Sequence, residues 1–144
     1  MRVSRREIAG LLPILAVGAS AQKTAPQELH AKAYAFDDLP VRTSANGAMK
    51  SRSVFDGFTG RGQRISAHIS ELAPGQSPHP PARQKHEEII ILREGTLEVT
   101  LNGETSTIGP GSIIYSPYEG LTGWKNAGTT VAQYYVISIE EHTA

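Results

Sequence analysis

The sequence predicts an all-β domain, an antiparallel β-barrel or jelly roll, over residues 36–144. From Arg64 onward, apolar and polar residues alternate in short segments, as they do in strands with one buried face. Turns containing many of the 14 Gly and 9 Pro residues separate these segments, and no segment after residue 64 keeps a helical period. Many short strands divided by such turns are typical of a sandwich or a barrel.

The predicted strands follow one another between turn signals. Ser51 to Phe55 is compatible with a strand, and Arg64 to Leu72 alternates until Ala73-Pro74-Gly75 ends it. Glu88 to Leu92 is a short β-branched run that Gly95 interrupts. The remaining strands are predicted at 96–101, 105–108, 112–116 and 131–139.

A hairpin is predicted at Asn102-Gly103. This dipeptide is favoured in type I′ turns, because both central residues need a positive φ. The preceding strand, Thr96 to Leu101, should place Leu97, Val99 and Leu101 on one face, since side chains alternate between the faces of a strand.

Residues 1–21 predict a signal peptide. Three arginines precede an apolar run from Ile8 to Ala19, which is too short to span a bilayer, and Ala19-Ser20-Ala21 matches the small-x-small site of signal peptidase. Ser4 to Ala9 resembles the twin-arginine signature, which sends folded proteins across the membrane. The alternative is an amphipathic helix that the mature protein keeps, although Pro13 argues against it. Export to the periplasm or the extracellular space of a bacterium is therefore expected.

The composition limits the classes of partner. Hydrophobic residues make up 39% and charged residues 19%, which is ordinary for a globular domain, and no membrane span is predicted after removal of the signal. The formal net charge is zero, so no nucleic-acid partner is predicted. The chain has no cysteine, which excludes disulfides and thiolate sites. Residues 22–35 form a polar N-terminal extension, expected to trail as a linker to about His30.

Two motifs around the hairpin resemble those of the cupin superfamily. The first family motif runs Gly, His-x-His, Glu, Gly, and Gly75, Glu88 and Gly95 match it, the last two at the family's separation. The second motif, Gly-x5-Pro-x-Gly-x2-His-x3-Asn, is matched at Gly111, Pro117 and Asn126. The resemblance covers about residues 64–137 and implies a single-domain type-2 cupin, with a homodimer paired through sheet edges.

The resemblance also implies four metal-ligand positions, which here hold Ala82, Gln84, Glu88 and Thr122. Only the carboxylate is retained. Ala82 offers no donor atom, and the neutral oxygens of Gln84 and Thr122 are weak ligands for transition metals, which prefer imidazole and carboxylate. No metal centre at these positions and no cofactor are therefore predicted, and no catalytic residue is assigned.

A shifted ligand set is the alternative. His79, His86 and Glu88 could together hold one divalent metal such as Fe, Mn or Zn, since three protein ligands suffice for a catalytic site. The chain would then be a metal-dependent enzyme of the oxygenase or isomerase type. On the opposing interpretation His79 is an exposed residue between prolines and His86 marks the start of a strand, while His68 is a half-buried strand residue.

The leading hypothesis is a binding pocket. Gln84, Glu88 and Thr122 would form a polar patch inside the barrel, with Gln84 and Thr122 donating hydrogen bonds to Glu88, and with Ala82 and Trp124 beside them. Such a patch could orient a small polar molecule. Two alternatives stay open: a relic in which these groups bond only to one another, and a structural or partner-binding barrel without a ligand. For Tyr115, Tyr118 and Trp124, the sequence allows either packing or a ligand-contacting rim.

Overall fold

A computed structural model of the chain describes residues 26–141. The predicted signal peptide and the start of the N-terminal extension lie outside the described residues. Within that range the regular secondary structure is almost entirely β, with a 3-10 turn at Phe36–Asp38 as its helical element. No helix in residues 26–141 has the length and apolar character needed to cross a membrane.

Eleven strands are described. They are β1 (Gln27–Glu28), β2 (Val41–Thr43), β3 (Met49–Phe58), β4 (Arg64–Leu72), β5 (Ala82–Arg83), β6 (Glu87–Glu94), β7 (Leu97–Leu101), β8 (Glu104–Ile108), β9 (Ile113–Ser116), β10 (Leu121–Asn126) and β11 (Ala132–Glu140).

The strands form two sheets. One has seven strands in the order β1-β3-β4-β11-β6-β9, with β2 also paired to β3, and the other has four in the order β5-β10-β7-β8. All pairs are antiparallel except β1 with β3. One continuous core joins them, because Leu92 and Tyr134 of the larger sheet cluster with Val99 and Trp124 of the smaller one. The predicted all-β jelly roll is confirmed.

The hairpin prediction is confirmed, with one correction. Asn102 and Gly103 both have positive φ, at 50° and 90°, as a type I′ turn requires. Leu97 and Val99 are buried, but Leu101 is 39% exposed. Leu101 is the last residue before the turn. It still alternates with its neighbours, but the end of the hairpin extends beyond the core, so no other side chains cover it.

Several strands were not predicted. The longest is β10, whose middle residues Thr122, Gly123 and Trp124 are all buried, so the strand shows no alternation. Gly123 is buried because the loop before β5 approaches it closely: a Cβ on Gly123 would lie 2.8 Å from the Cα of Pro81. The expected linker is also partly a strand, since Gln27 and Glu28 pair with the end of β3.

Gly95 has a structural reason for being glycine. Its φ of +89° disfavours other residues, and a Cβ would lie 2.7 Å from the Cα of Ala132 in β11. The close approach lets the turn between β6 and β7 lie against β11, and so fixes the end of the strand that carries Glu88.

Candidate functional site

A cavity of about 290 Å³ opens on the inner face of the larger sheet. Strands β3, β4, β6 and β11 supply one wall, Trp124 of β10 faces them, and the segment 78–86 contributes side chains. Met49, Pro78 and Val136 make much of the wall apolar. A concave apolar site with a few polar groups is the usual form of a small-molecule site. We call it the inner cavity.

The structure brings most of the predicted site residues to the inner cavity. Gln84, Glu88, Trp124, His79 and His86 all line it. They come from three parts of the chain, the segment before β6, β6 itself and β10.

Ala82 and Thr122 are placed differently. They are paired across β5 and β10, and neither lines the inner cavity. The Thr122 hydroxyl is buried and accepts a 2.8 Å hydrogen bond from the Ser116 hydroxyl. No hydrogen bond joins Thr122 to Glu88 within residues 26–141, so the expected patch of Gln84, Glu88 and Thr122 is not formed as predicted.

Glu88 is a nearly buried carboxylate whose partner is His86. It is 9% exposed, and its Oε1 lies 3.0 Å from Nε2 of His86. Glu87 points the other way, as alternation in a strand requires, and accepts a 2.8 Å hydrogen bond from the Tyr115 hydroxyl. That bond raises the pKa of Tyr115, which lies outside the barrel and is 54% exposed. The hydrogen-bond partner of Glu88 is thus His86, not Gln84 or Thr122.

Two buried hydrogen-bond donors line the inner cavity without a partner. Trp124 and Tyr134 are 6% and 1% exposed, and their rings meet edge to face with centroids 5.7 Å apart. Neither the indole Nε1–H nor the phenol O–H makes a hydrogen bond of good geometry within residues 26–141. An unsatisfied buried polar group costs about 1–3 kcal/mol, so both groups call for an acceptor.

The electrostatics keep Tyr134 a donor. Burial raises the pKa of its hydroxyl; hydrogen-bonding groups of the nearby Trp124 and Ser70 side chains lower it by less, and the charge of Glu88 adds to the increase. The phenol therefore stays protonated at neutral pH. Tyr134 was missed in the sequence because Tyr134 and Tyr135 are adjacent in a strand, and only the register shows which one faces inward.

The two other histidines of the inner cavity, His68 and His79, do not bond to Glu88. Burial lowers the pKa of His68, against a smaller opposite effect of Glu88, so its imidazole is uncharged at neutral pH. His79 is half-buried, with its ring centroid 5.7 Å from that of Trp124 and its Nδ1 2.8 Å from the carbonyl oxygen of Pro80. His79 thus packs on the indole and is not the fully exposed residue that its prolines suggest.

The donor set does not fit a metal centre. Within the part of the chain that the structure describes, no three His, Asp or Glu side chains are grouped as metal ligands. His86 and Glu88 are bonded to each other, and His79 does not complete a group with them. Ala82 has no donor atom, and Thr122 is engaged with Ser116. No step of chemistry is therefore derived through a metal.

Solved structures with the same fold come from proteins of several kinds. An RmlC-like cupin from Shewanella frigidimarina has a TM-score of 0.62 and 13% identity, over 78% of this chain and 95% of that one. The polyketide cyclase RemF from Streptomyces resistomycificus has a TM-score of 0.61 and 20% identity, over 80% and 83%. A predicted oxalate decarboxylase from Thermotoga maritima has a TM-score of 0.65 and 14% identity, over 76% and 100%. At such identities the likeness shows the fold alone.

The family comparison agrees with the motifs. No curated protein matches the chain significantly. The family model described as "Cupin domain" matches residues 68–138, from β4 to β11, and so spans both motifs and the inner cavity. The chain therefore belongs to the cupin superfamily, with a domain of the type-2 kind.

Proposed function

We propose that this protein is an exported, single-domain cupin that binds a small polar molecule without a metal centre. One observation carries the proposal: the two unpaired donors, Trp124 Nε1–H and Tyr134 O–H, line the same cavity as the bonded pair His86–Glu88. A ligand oxygen that accepts from the indole and the phenol would remove the cost of leaving them unsatisfied. A carbonyl, carboxylate or hydroxyl oxygen has the required chemistry.

The ligand is small. The inner cavity, at about 290 Å³, is at the lower end of the range for small-molecule sites. Its carboxyl group is already hydrogen-bonded to His86, which leaves the neutral amide of Gln84 and the two ring donors to fix the ligand's orientation. Export is part of the proposal because of the arginines, apolar run and cleavage pattern in residues 1–21.

Binding can be followed through the protein's own fluorescence. Trp124 is the sole tryptophan of the chain and forms part of the cavity wall. We expect at least one member of a panel of small carboxylates, hydroxy acids and keto acids to change its emission saturably. Replacing Tyr134 with Phe should lower the affinity for that compound about tenfold, because one hydrogen bond of about 1.4 kcal/mol is lost. The matched control is Tyr118→Phe, which removes a hydroxyl from an exposed residue outside the inner cavity. Equal affinities for the wild type and Tyr134→Phe would contradict the proposal.

The variant Glu88→Leu distinguishes a ligand-binding site from a relic, in which the polar groups bond only to one another. We expect Glu88→Leu to abolish the ligand-induced change in Trp124 emission, because His86 loses its acceptor and the cavity its carboxylate. Urea denaturation of the ligand-free variant gives its free energy of unfolding. If Glu88→Leu is more stable than the wild type and still binds the same compound, the carboxylate is a relic. Its only consequence would then be the free-energy cost of burying a polar group.

We also propose that the protein is a homodimer, with the outer face of the larger sheet as its interface. Ile113 and Tyr115 of β9 are 66% and 54% exposed and are paired with Ile91 and Ile89 of β6. Apolar residues so placed form a continuous strip across two strands, which a second copy could cover. This apolar outer face therefore supports dimerisation better than the pairing of two sheet edges does.

We expect Ile113→Asp to shift the protein from dimer to monomer. A charge at this position would have to be buried without a partner in the proposed interface. Light scattering after size exclusion measures the mass at several concentrations. The control is Leu101→Asp, which puts the same charge on an exposed leucine of the other sheet. A wild type that is monomeric at high concentration would refute the interface.

A further inference from the structure

We infer that the ligand of the inner cavity is an uncharged carbonyl compound, whose oxygen accepts hydrogen bonds from both Trp124 Nε1–H and Tyr134 O–H. The inference rests on the proposed function, because it assumes that the inner cavity binds a small molecule. Of the three kinds of acceptor oxygen, carbonyl, carboxylate and hydroxyl, it selects the first. Small amides, ketones and lactones belong to this class.

The two unpaired donors are placed to share one acceptor. Their rings meet edge to face with centroids 5.7 Å apart. Burial raises the pKa of the Tyr134 hydroxyl and the indole of Trp124 lowers it by less, so the two polar groups are close neighbours. Neither makes a hydrogen bond of good geometry within residues 26–141. A carbonyl oxygen has two lone pairs, so it can accept from both donors without bringing a proton that needs a partner of its own.

The inner cavity offers no fixed positive charge to an anion. Among residues 26–141, no lysine or arginine lines it, and Gln84, Trp124 and Tyr134 are uncharged. The bonded pair of His86 and Glu88 is neutral overall when both groups are ionised or both are uncharged, and it is negative when Glu88 alone is ionised. In none of these states does the pair attract an anion. A carboxylate in the cavity would therefore lack a countercharge.

Burial makes the missing countercharge costly. Much of the wall is apolar, from Met49, Pro78 and Val136. A carboxylate that enters loses its hydration, and two neutral donors replace only part of it, whereas an amide or a ketone has less hydration to lose and gains the same two bonds. The side-chain amide of Gln84 can both donate and accept, so an amide ligand has a further partner there. The cavity thus selects against the charge of a ligand.

Three compounds that share a cyclohexane ring test this selection: cyclohexanecarboxamide, cyclohexyl methyl ketone and cyclohexanecarboxylate. They are nearly equal in size, and at neutral pH the carboxylate alone is charged. By calorimetric titration, we expect the amide and the ketone to bind at least about tenfold more tightly than the carboxylate, because the carboxylate buries an unpaired charge. Tyr134→Phe should lower the affinity for the amide and the ketone about tenfold, because one hydrogen bond is lost.

A variant with an added cation tests the cause of the preference. Gln84→Lys puts an ammonium group in the cavity wall and should raise the affinity for the carboxylate above that for the amide. The matched control is Gln76→Lys, the same change at an exposed residue that does not line the cavity, and it should keep the wild-type order. Far-UV circular dichroism shows whether each variant keeps its fold. The comparison of the three compounds on the wild type stands without either variant.

The outcomes separate this inference from the proposed function. A wild type that binds the carboxylate as tightly as the amide and the ketone would overturn the inference and leave the proposed function standing. Binding of small acids without binding of either neutral compound would do the same. A folded Gln84→Lys that keeps the wild-type order would also overturn it, since charge would then not be what the cavity selects. If neither these compounds nor the acids bind, the proposed function fails as well.

Discussion

The purified protein is expected to hold far less than one transition-metal ion per chain, whereas a variant with Ala82→His, Gln84→His and Thr122→His is expected to hold about one. The reason lies in the donors at the four ligand positions. Three imidazoles and one carboxylate are ligands that such ions prefer, but the native chain offers one carboxylate, which is bonded to His86. The four positions lie on neighbouring elements, because Ala82 pairs with Thr122 across β5 and β10, and Gln84, two residues after Ala82, lines one cavity with Glu88.

Elemental mass spectrometry on protein made without a histidine tag or chelators gives the metal content of both forms. Adding Glu88→Gln to the triple variant is the control, because it removes the carboxylate and should empty the rebuilt site. The opposite outcome is informative too. If the native protein holds about one metal, and loses it when His79 or His86 is replaced, then the shifted set of His79, His86 and Glu88 is the true centre. The proposal of a metal-free cavity would then be wrong, and an oxygenase or isomerase function would replace it.

Alternation and turn chemistry were sufficient to predict much of the fold. Strand β4 was predicted with the bounds it has, and Asn102-Gly103 forms the predicted turn, because both are decided by local sequence. Strand β10 was missed because Gly123 and Trp124 are both buried there, and the alternation on which prediction relies is lost. Asn126, which the motif spacing matched, is the last residue of that strand.

The candidate site was harder to predict than the fold. Glu88 was identified by its motif, but its partner depends on how the segment before β6 bends. The sequence had an available signal in His86-x-Glu88, since His86 directly precedes β6 and residues two apart in an extended chain share a face. The sequence carries no signal that the donors of Trp124 and Tyr134 lack a hydrogen bond. Whether a donor finds an acceptor depends on the three-dimensional packing around it.

Replacing Asn126 with Ala is expected to lower the free energy of unfolding by about 4 kcal/mol, close to the whole stability of a marginal domain. The side chain is fully buried and links three parts of the chain. Its Nδ2 donates to the carbonyl oxygens of Leu72 and Thr130, each at 2.8 Å, and its Oδ1 accepts from the backbone N–H of Gly128 at 2.9 Å. Alanine would leave these backbone groups without their partner in a region that water reaches poorly.

Urea denaturation compares this variant with Asn46→Ala. Asn46 also accepts two local hydrogen bonds, from Ser44 and Ala48, but it is exposed, so water can replace them and a cost below about 1 kcal/mol is expected. Asn126→Asp keeps the size and the acceptor but loses both donors, and it should be as damaging as alanine. If Asn126→Asp were close to wild type, the bonds to Leu72 and Thr130 could not be what holds the end of β10. The shape of the asparagine side chain would then explain its presence at this position. Trp124, two residues earlier, would be held in the cavity wall by packing alone.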